Sequence, residues 1–168
     1  MIFLYSQSSL DSYNKSFKDR LFYGGGFGLS IGSVTQIDIA PQVGFRVTDR
    51  FNTGVGVIYK YISVSDRYSM SFSTSIYGFK VFTNYMVTSQ LFPHAELESL
   101  SLERKYFDFI NNFPQDGRFW YHSIFLGIGY YMPISPRSGS YILALYNIND
   151  SSNSPYSSPW IFRVGFNF

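Results

Sequence analysis

The sequence predicts an all-β fold in which eight antiparallel strands follow one another up and down and close into a barrel. Segment after segment alternates large apolar residues with small or polar ones, which is the pattern of a strand with two unlike faces. The chain of 168 residues is 45% hydrophobic and 21% aromatic but only 14% charged. Soluble domains average about 25% charged residues. The length suits one domain.

Composition also excludes several classes of function. A formal net charge of +2 without a basic cluster gives no support for nucleic acid binding. The absence of cysteine excludes a disulfide scaffold, a thiolate metal site and a cysteine nucleophile. The sequence has no run of about 18 apolar residues, so it offers no helical membrane span. We expect no cofactor.

The first three strands are predicted over residues 21–33, 36–48 and 51–63. The register of the hairpin between the second and third strands can be derived from the sequence. If residues 48–50 form a tight turn, the apolar faces of the two flanking strands coincide. The pairs are Val47 with Phe51, Phe45 with Thr53, Val43 with Val55, Pro41 with Val57 and Ile39 with Tyr59. On the other face Asp38 stands opposite Lys60, so opposite charges meet. Pro41 forfeits a ladder hydrogen bond, so we expect a bulge there.

Five further segments complete the predicted set of strands. They cover residues 76–85, 90–100, 119–132, 140–149 and 160–168. A hairpin closed at residues 87–89 brings Lys80 opposite Glu96. Residues 140–149 are apolar on both faces at their start, so their facing stays open. Short connections at 48–50, 87–89 and 133–139 alternate with longer polar ones at 63–69, 102–117 and 150–159, and only the first turn, at 32–34, departs from this alternation.

The residues opposite the apolar face decide which face points outward. A soluble barrel would carry Lys, Glu, Thr and Gln there, but these strands carry mostly glycine, serine, alanine and asparagine. Glycine is poor in an exposed strand, whereas a narrow eight-stranded lumen has little room for large side chains. We therefore expect a transmembrane barrel whose apolar face meets lipid. The polar network expected in its lumen comprises Asp38, Arg46, Lys60, Lys80, His94, Glu96, Glu98 and Arg163.

Aromatic residues on the apolar face also indicate that this face points outward, toward lipid. They lie near strand ends, where amphipathic rings would sit at the level of the lipid headgroups. These interface aromatics are Tyr23, Tyr59, Tyr61, Tyr85, Trp120 and Tyr130, and Trp160 resembles them.

The last nine residues, WIFRVGFNF, form an alternating strand that runs to the terminus. Its apolar face is made of Trp160, Phe162, Val164, Phe166 and Phe168. With this ending, residues 21–168 resemble the small outer-membrane β-barrels of Gram-negative bacteria, of the OmpX and OmpA transmembrane-domain type. The resemblance implies that the ending is a signal read by the barrel-assembly machinery. It also implies periplasmic short turns, external longer loops, and outer-membrane lipid and lipopolysaccharide around an integral outer-membrane protein.

The predicted domain organisation is simple. Residues 20–168 form the barrel, and residues 1–19 form an N-terminal segment with a periplasmic extension. The stretch MIFLYSQSS is apolar for only five residues and lacks a basic segment. Two interpretations of it stay open, the remnant of a signal peptide and a simple disordered segment.

Residues that could carry chemistry have simpler explanations. The GGGFG stretch lies within a strand and lacks the helix and lysine of a phosphate loop. His94, Glu96 and Glu98 share one face, where a metal would fit, but a buried polar network with Lys80 explains them as well. Outer-membrane lipid A deacylases carry an outward His and Ser, which His122 and Ser123 resemble. Adjacent residues face opposite sides of a strand, however, and no acidic partner is evident.

The sequence therefore predicts a non-enzymatic outer-membrane barrel with a side-chain-filled lumen and a structural or interaction role. The loop at residues 102–117 mixes charged and aromatic residues, so a protein partner could bind there or on the barrel wall. Alternatives are an accessory subunit of a larger outer-membrane complex, a lipid-modifying enzyme, and a soluble lipocalin-like carrier.

Overall fold

The computed structural model describes residues 16–30, 34–64, 71–107, 116–135, 138–156 and 158–168. Its strands are β1 (Leu21–Ser30), β2 (Val34–Arg46), β3 (Phe51–Val64), β4 (Phe72–Tyr85), β5 (Leu91–Glu103), β6 (Arg118–Pro133), β7 (Gly139–Asn147) and β8 (Trp160–Asn167). Two short helices, α1 (Phe17–Arg20) and α2 (Arg104–Phe107), accompany them. None of the described helices combines the length and the apolar character needed to cross a membrane.

The eight strands form a closed antiparallel barrel in which each strand pairs with its neighbours in sequence and β8 pairs with β1. The predicted all-β, up-and-down barrel is confirmed. Most of the N-terminal segment predicted at residues 1–19, and most of the first turn at 32–34, lies outside the described residues. The two interpretations of that segment therefore stay predictions.

The two ends of the barrel differ in their connections. The terminus end carries α1, Phe168 and the short turns after β2, β4 and β6. Two of these turns use the same chemistry, because Thr48 Oγ1 accepts a hydrogen bond from the Phe51 amide and Thr88 Oγ1 accepts one from the Leu91 amide, each at 2.9 Å. The opposite end, called the loop end, carries the connections after β1, β3, β5 and β7.

The β2–β3 hairpin has the register that the sequence predicts. Ile39 pairs with Tyr59 and Asp38 pairs with Lys60. The bulge expected at Pro41 is wrong. Pairing is interrupted at Ala40 and Pro41, but the register is the same on both sides of the interruption, so neither strand carries an extra residue. The missing proline amide therefore removes ladder contacts without shifting the strands.

The β4–β5 hairpin differs from the prediction by two residues. Lys80 pairs with Glu98 across the ladder, and Phe82 pairs with Glu96. A shift of two residues keeps every side chain on its own face, because side chains alternate with a period of two. The predicted facing of both strands is therefore correct although the pairing is not.

The structure also settles the facing of β7, which the sequence left open. Tyr141, Leu143, Leu145 and Asn147 are buried in the interior, whereas Ile142 is exposed on the outer wall. Two apolar clusters fill much of the interior. The first contains Ile58, Ile76, Leu100, Leu102 and Tyr121, and the second contains Phe92, Phe125, Tyr141, Leu143 and Leu145.

The β1–β8 seam closes the barrel over a short stretch. Among the described residues, these two strands pair over Gly24–Gly26 alone. Reciprocal backbone hydrogen bonds of 2.9 and 2.8 Å between Tyr23 and Phe168 extend this pairing at the terminus end. Toward the loop end both strands continue without pairing to each other, β1 as far as Ser30 and β8 as far as Trp160.

Candidate functional site

Two carboxylates on β5 form the centre of a polar network inside the barrel. Glu96 and Glu98 are two residues apart, so both point to the interior, and their side chains are 0% exposed. Arg163 of β8 reaches across the lumen and binds both carboxylates. Its Nη1 contacts Glu96 Oε1, and its Nη2 donates to Glu98 Oε2 at 2.9 Å. Buried charges need such pairing and hydrogen bonding, and here one cation joins two anions.

Lys80 and His94 complete the surroundings of Glu96. Lys80 Nζ donates to Glu96 Oε2 at 3.0 Å, and His94 Nε2 lies 3.5 Å from the same oxygen. His94 Nδ1 lies within hydrogen-bond distance of Asn84 Oδ1. Lys80 is one of the buried polar residues of the interior. The pairing of Lys80 with Glu96 thus occurs along a diagonal of the ladder.

Tyr156 enters the same network from the segment between β7 and β8. Its hydroxyl donates to Glu98 Oε1 and accepts a hydrogen bond of 3.0 Å from Lys60 Nζ. Arg163 Nη2 lies 3.3 Å from the same hydroxyl. Burial, followed by the charge of Glu98, raises the pKa of Tyr156 well above its usual range, so the phenol remains a donor at neutral pH. These residues, Lys60, Lys80, His94, Glu96, Glu98, Tyr156 and Arg163, are called the lumen network.

Two of the residues expected in the lumen network lie at its margins. Asp38 faces the interior, where its Oδ2 accepts a hydrogen bond of 2.8 Å from Gln36, and its buried Oδ1 has no partner among the described residues. Arg46 is exposed at the terminus end, with its guanidinium 5.8 Å from the centre of the Phe22 ring. The structure therefore places Arg46 at the mouth of the barrel rather than in the buried network.

The lumen network lies between two cavities. The cavity toward the terminus end has a volume of about 290 Å³ and is lined by Arg46, His94 and Tyr131 among others. The cavity toward the loop end has a volume of about 260 Å³ and is lined by Lys60, Tyr156 and Arg163 among others. Lys80 lines both cavities. The interior is thus two small chambers with an ion-paired group of side chains between them.

The predicted interface aromatics lie on the outer wall in two groups. Tyr23, Tyr85 and Tyr130 lie toward the terminus end and are exposed. Tyr59 and Trp120 lie toward the loop end and are also exposed. Tyr61, near Tyr59, is half-buried. Trp160 lies at the loop end as well, where its ring packs on Tyr146 with centroids 5.0 Å apart.

The C-terminal strand keeps the alternation predicted for it. Its apolar face, Trp160, Phe162, Val164, Phe166 and Phe168, is exposed on the outer wall. Its other face contributes Arg163 to the lumen network and Gly165 to the buried interior.

His122 and Ser123 do not meet. His122 is exposed on the outer wall, while Ser123 is fully buried inside, and its hydroxyl has no hydrogen-bond partner among the described residues. The structure instead pairs His122 Nδ1 with Ser99 Oγ at 2.8 Å, across the β5–β6 ladder. In the described part of the chain, His122 makes no hydrogen bond to a carboxylate.

The sequence pattern did not predict a site role for Tyr156 or Ser99. Tyr156 is the aromatic residue of a Ser-, Asn- and Pro-rich connection, and nothing in that pattern places it in the lumen. Ser99 is a small residue on the outward face of β5, and nothing in the alternating pattern distinguishes it from other small residues. Residues 108–115 of the mixed charged and aromatic loop lie outside the described residues. Across the described ranges, no group of His, Cys, Asp and Glu side chains is arranged to hold a metal ion.

The chain is similar in fold to a solved β-barrel structure. That structure is the N-terminal β-barrel domain of OprF from Pseudomonas aeruginosa, which is 13% identical, with a TM-score of 0.44, over 89% of this chain and 96% of that chain. No protein-family model matches the sequence, and no curated protein matches it either.

Proposed function

We propose that the chain is an integral outer-membrane β-barrel protein with a side-chain-filled lumen and a non-enzymatic role in structure or interaction. The observation that carries this proposal is an apolar outer wall around an interior that holds buried charged residues beside two apolar clusters. Glu96, Glu98 and Lys80 are buried inside, while large apolar residues cover the outside. A soluble barrel carries polar residues on its outer face.

The outer wall supports contact with lipid rather than water. Exposed apolar side chains occur on every strand, including Phe27 at 61%, Val57 at 60%, Ile128 at 58% and Phe162 at 73%. A monomeric soluble protein rarely exposes a continuous apolar patch of more than a few hundred Å². In hydrocarbon the same wall has no such cost, and neighbouring strands pair most of their backbone groups, except along the β1–β8 seam beyond Gly26.

Strand length fits the thickness of a bilayer. A strand rises about 3.3 Å per residue, and a tilt of about 40° leaves about 2.5 Å per residue along the membrane normal. About ten residues therefore span the apolar band of about 25 Å found in such barrels. The strands β1 to β6 have ten residues or more, and β7 and β8 have nine and eight. The aromatic groups lie toward opposite ends of the wall.

The alternatives have less support. A soluble lipocalin-like carrier needs an apolar cavity, whereas both cavities here carry charged side chains. A lipid-modifying enzyme would need an orienting acid near Ser99 and His122, and in the described ranges His122 has no such hydrogen bond. An accessory role in a larger complex remains compatible with the fold, since the fold does not define the partner. Insertion through the barrel-assembly machinery, in a membrane containing lipopolysaccharide, belongs to the same proposal.

Electrophoresis tests the membrane barrel directly. We expect protein folded in detergent to migrate differently before and after boiling, and protein without detergent to aggregate. A stable, detergent-free monomer would overturn the proposal. Planar-bilayer recording tests the filled lumen, and a large stable conductance would contradict it. Mass spectrometry of lipid A with wild-type protein and His122→Ala tests the enzyme alternative, and a pull-down from solubilised membranes tests for a partner.

A further inference from the structure

Part of the β1–β8 seam of the closed barrel is unpaired. The two strands separate beyond Gly26, although both continue toward the loop end. If pairing continued in the same register, Phe27 would meet Val164 and Gly28 would meet Arg163, and neither pair forms. The other neighbouring strands pair over longer stretches, such as Val34–Arg46 with its β3 partners. We call this gap the seam opening, bounded by 27–30 and 160–164.

The separation of β1 and β8 can be followed at the glycines of β1, from the distance between a Cβ atom placed on each glycine and its nearest neighbour. At Gly24 a Cβ atom would lie 2.2 Å from the carbonyl oxygen of Phe166, so β8 is in close contact there. At Gly26 the nearest β8 atom, the carbonyl oxygen of Val164, is 3.2 Å away. At Gly28 the nearest atoms belong to Asp38 of β2 instead, at 3.3 Å. A close contact with β8 is therefore present at Gly24, is looser at Gly26 and is not among the nearest contacts at Gly28.

The cavity at the loop end reaches this opening. Its lining includes Phe27 and Phe162 from the outer face of the wall and Lys60 and Arg163 from the inner face. The cavity therefore borders the edges of β1 and β8 along the stretch where these strands do not pair. Phe162 is 73% exposed, and Phe27 is 61% exposed, so the outer margin is apolar. The inner part is polar, so at the unpaired stretch a polar cavity lies beside an apolar outer surface.

The charged side chains of the loop-end cavity indicate which kind of ligand it could bind. Arg163 is occupied by Glu96 and Glu98, and Lys80 is occupied by Glu96. Lys60 differs, because among the described residues its ammonium is bonded to the Tyr156 hydroxyl and has no carboxylate within 4.0 Å. An anionic group is therefore the natural partner for Lys60. Asp38 and Glu98 also line the cavity and repel anions, and they repel a group with two negative charges more strongly than a group with one.

We propose that the seam opening is a lateral binding site for an acyl amphiphile with one negative charge, such as a fatty acid or a lysophospholipid with a phosphodiester. The headgroup binds Lys60 in the cavity, and the acyl chain passes between Phe27 and Phe162 to the outer wall. The cavity volume of about 260 Å³ holds a headgroup and a few methylene groups, so the remaining chain stays outside the barrel. This proposal rests on the membrane location proposed above, which supplies the ligand.

Native mass spectrometry of the folded, full-length protein released from a non-ionic detergent tests the proposal. The probes are laurate, lauroyl lysophosphatidylglycerol and neutral monolaurin. We expect one bound molecule of either anionic probe, and binding of monolaurin about tenfold weaker or more, because a hydrogen bond to a charged group is lost. Lys60→Met should weaken anion binding by a similar factor. Lys18→Met, on the exposed helix α1, is the matched control and should bind like the wild type.

A second pair of variants tests the lateral route and does not depend on the folding of Lys60→Met. Cysteines replacing Phe27 and Val164 are bridged with a bismaleimide after the barrel has folded. The natural chain has no cysteine, so the reagent has no other thiol target. The bridge should abolish binding, whereas a bridge between cysteines replacing Val55 and Val81, which pair on the outer wall, should not.

Each outcome decides a part of the proposal. A folded barrel that binds laurate and monolaurin equally, or binds equally well with Lys60→Met, overturns the assigned headgroup site. Binding that survives the bridge across the seam overturns the lateral route. If only one of the two anionic probes binds, that result identifies the ligand source and supports the site. A protein that is monomeric without detergent overturns the proposed function itself, which distinguishes the two failures.

Discussion

Replacement of Arg163 tests the lumen network most strongly. Arg163 is the cation that joins Glu96 to Glu98, and both of these carboxylates have side chains that are 0% exposed. With Arg163→Met, Glu96 keeps its ion pair with Lys80, but Glu98 keeps only the hydroxyl of Tyr156. The variant therefore leaves a buried carboxylate without a cation.

The size of the effect follows from this loss. Removing one partner of a buried ion pair costs about 3–5 kcal/mol of unfolding free energy. The Arg163 side chain is 20% exposed, so water can partly solvate the site and the lower end of that range applies. A loss of about 3 kcal/mol lowers the folding equilibrium constant by roughly two orders of magnitude. Arg50→Met, in an exposed turn, is the matched control and should change stability by less than about 0.5 kcal/mol.

Urea titration of the folded barrel in lipid vesicles, followed by tryptophan fluorescence, measures these changes. Adding Glu98→Gln to Arg163→Met removes the uncompensated charge, so the double variant should regain about 0.5–3 kcal/mol relative to the sum of the two single changes. A loss below about 1 kcal/mol for Arg163→Met would refute the reasoning. Simple additivity of the two changes would refute it as well, because it would mean that the two groups do not interact.

Three other changes have defined outcomes. Gly127→Ala places a Cβ about 2.0 Å from a backbone carbonyl oxygen of β7, whereas at Gly26 the nearest atom is 3.2 Å away. Gly127→Ala should therefore destabilise the barrel by about 1–3 kcal/mol and more than Gly26→Ala in urea titrations, and an equal effect would contradict the close packing. Tyr156→Phe removes the hydroxyl bonded to Lys60 and Glu98, and should cost about 1–3 kcal/mol; unchanged stability would show that the hydroxyl contributes nothing. Phe168→Asp should reduce insertion into outer membranes more than Asn167→Asp, as judged by the heat-modifiable fraction, and equal insertion would argue against an assembly signal at Phe168.

The fold could be predicted because apolar and polar residues alternate with a period of two along the strands. An error of two residues in the pairing leaves each side chain on its predicted face. The β2–β3 register followed from two faces that had to match at once, one apolar and one polar. For β4–β5 the predicted pairing was wrong by two residues, yet the Lys80–Glu96 contact forms. A shift of two keeps both side chains in the lumen, and the long lysine side chain reaches the diagonal carboxylate.

The parts that sequence patterns missed depend on contacts between distant segments. Tyr156 lies in a polar connection, and its place in the lumen is marked by hydrogen bonds to Lys60 and Glu98, which are far away in the sequence. Pro41 was expected to add a residue to β2, but a proline can lose its ladder bonds without shifting the register. The seam opening could not be predicted, because Gly26 and Gly28 resemble any other small residues that face the lumen. An alternating pattern is the same whether or not two neighbouring strands pair.

The fluorescence of the wild-type protein in brominated lipid tests most directly whether the apolar wall faces lipid. The chain contains two tryptophans, Trp120 and Trp160, which are 52% and 57% exposed on the outer wall near the loop end. We expect strong quenching by bromine in the bilayer, and stronger quenching by bromine near the headgroups than by bromine deep in the acyl chains. Emission that is unaffected by brominated lipid but quenched by aqueous iodide would place this wall in water and contradict the membrane barrel.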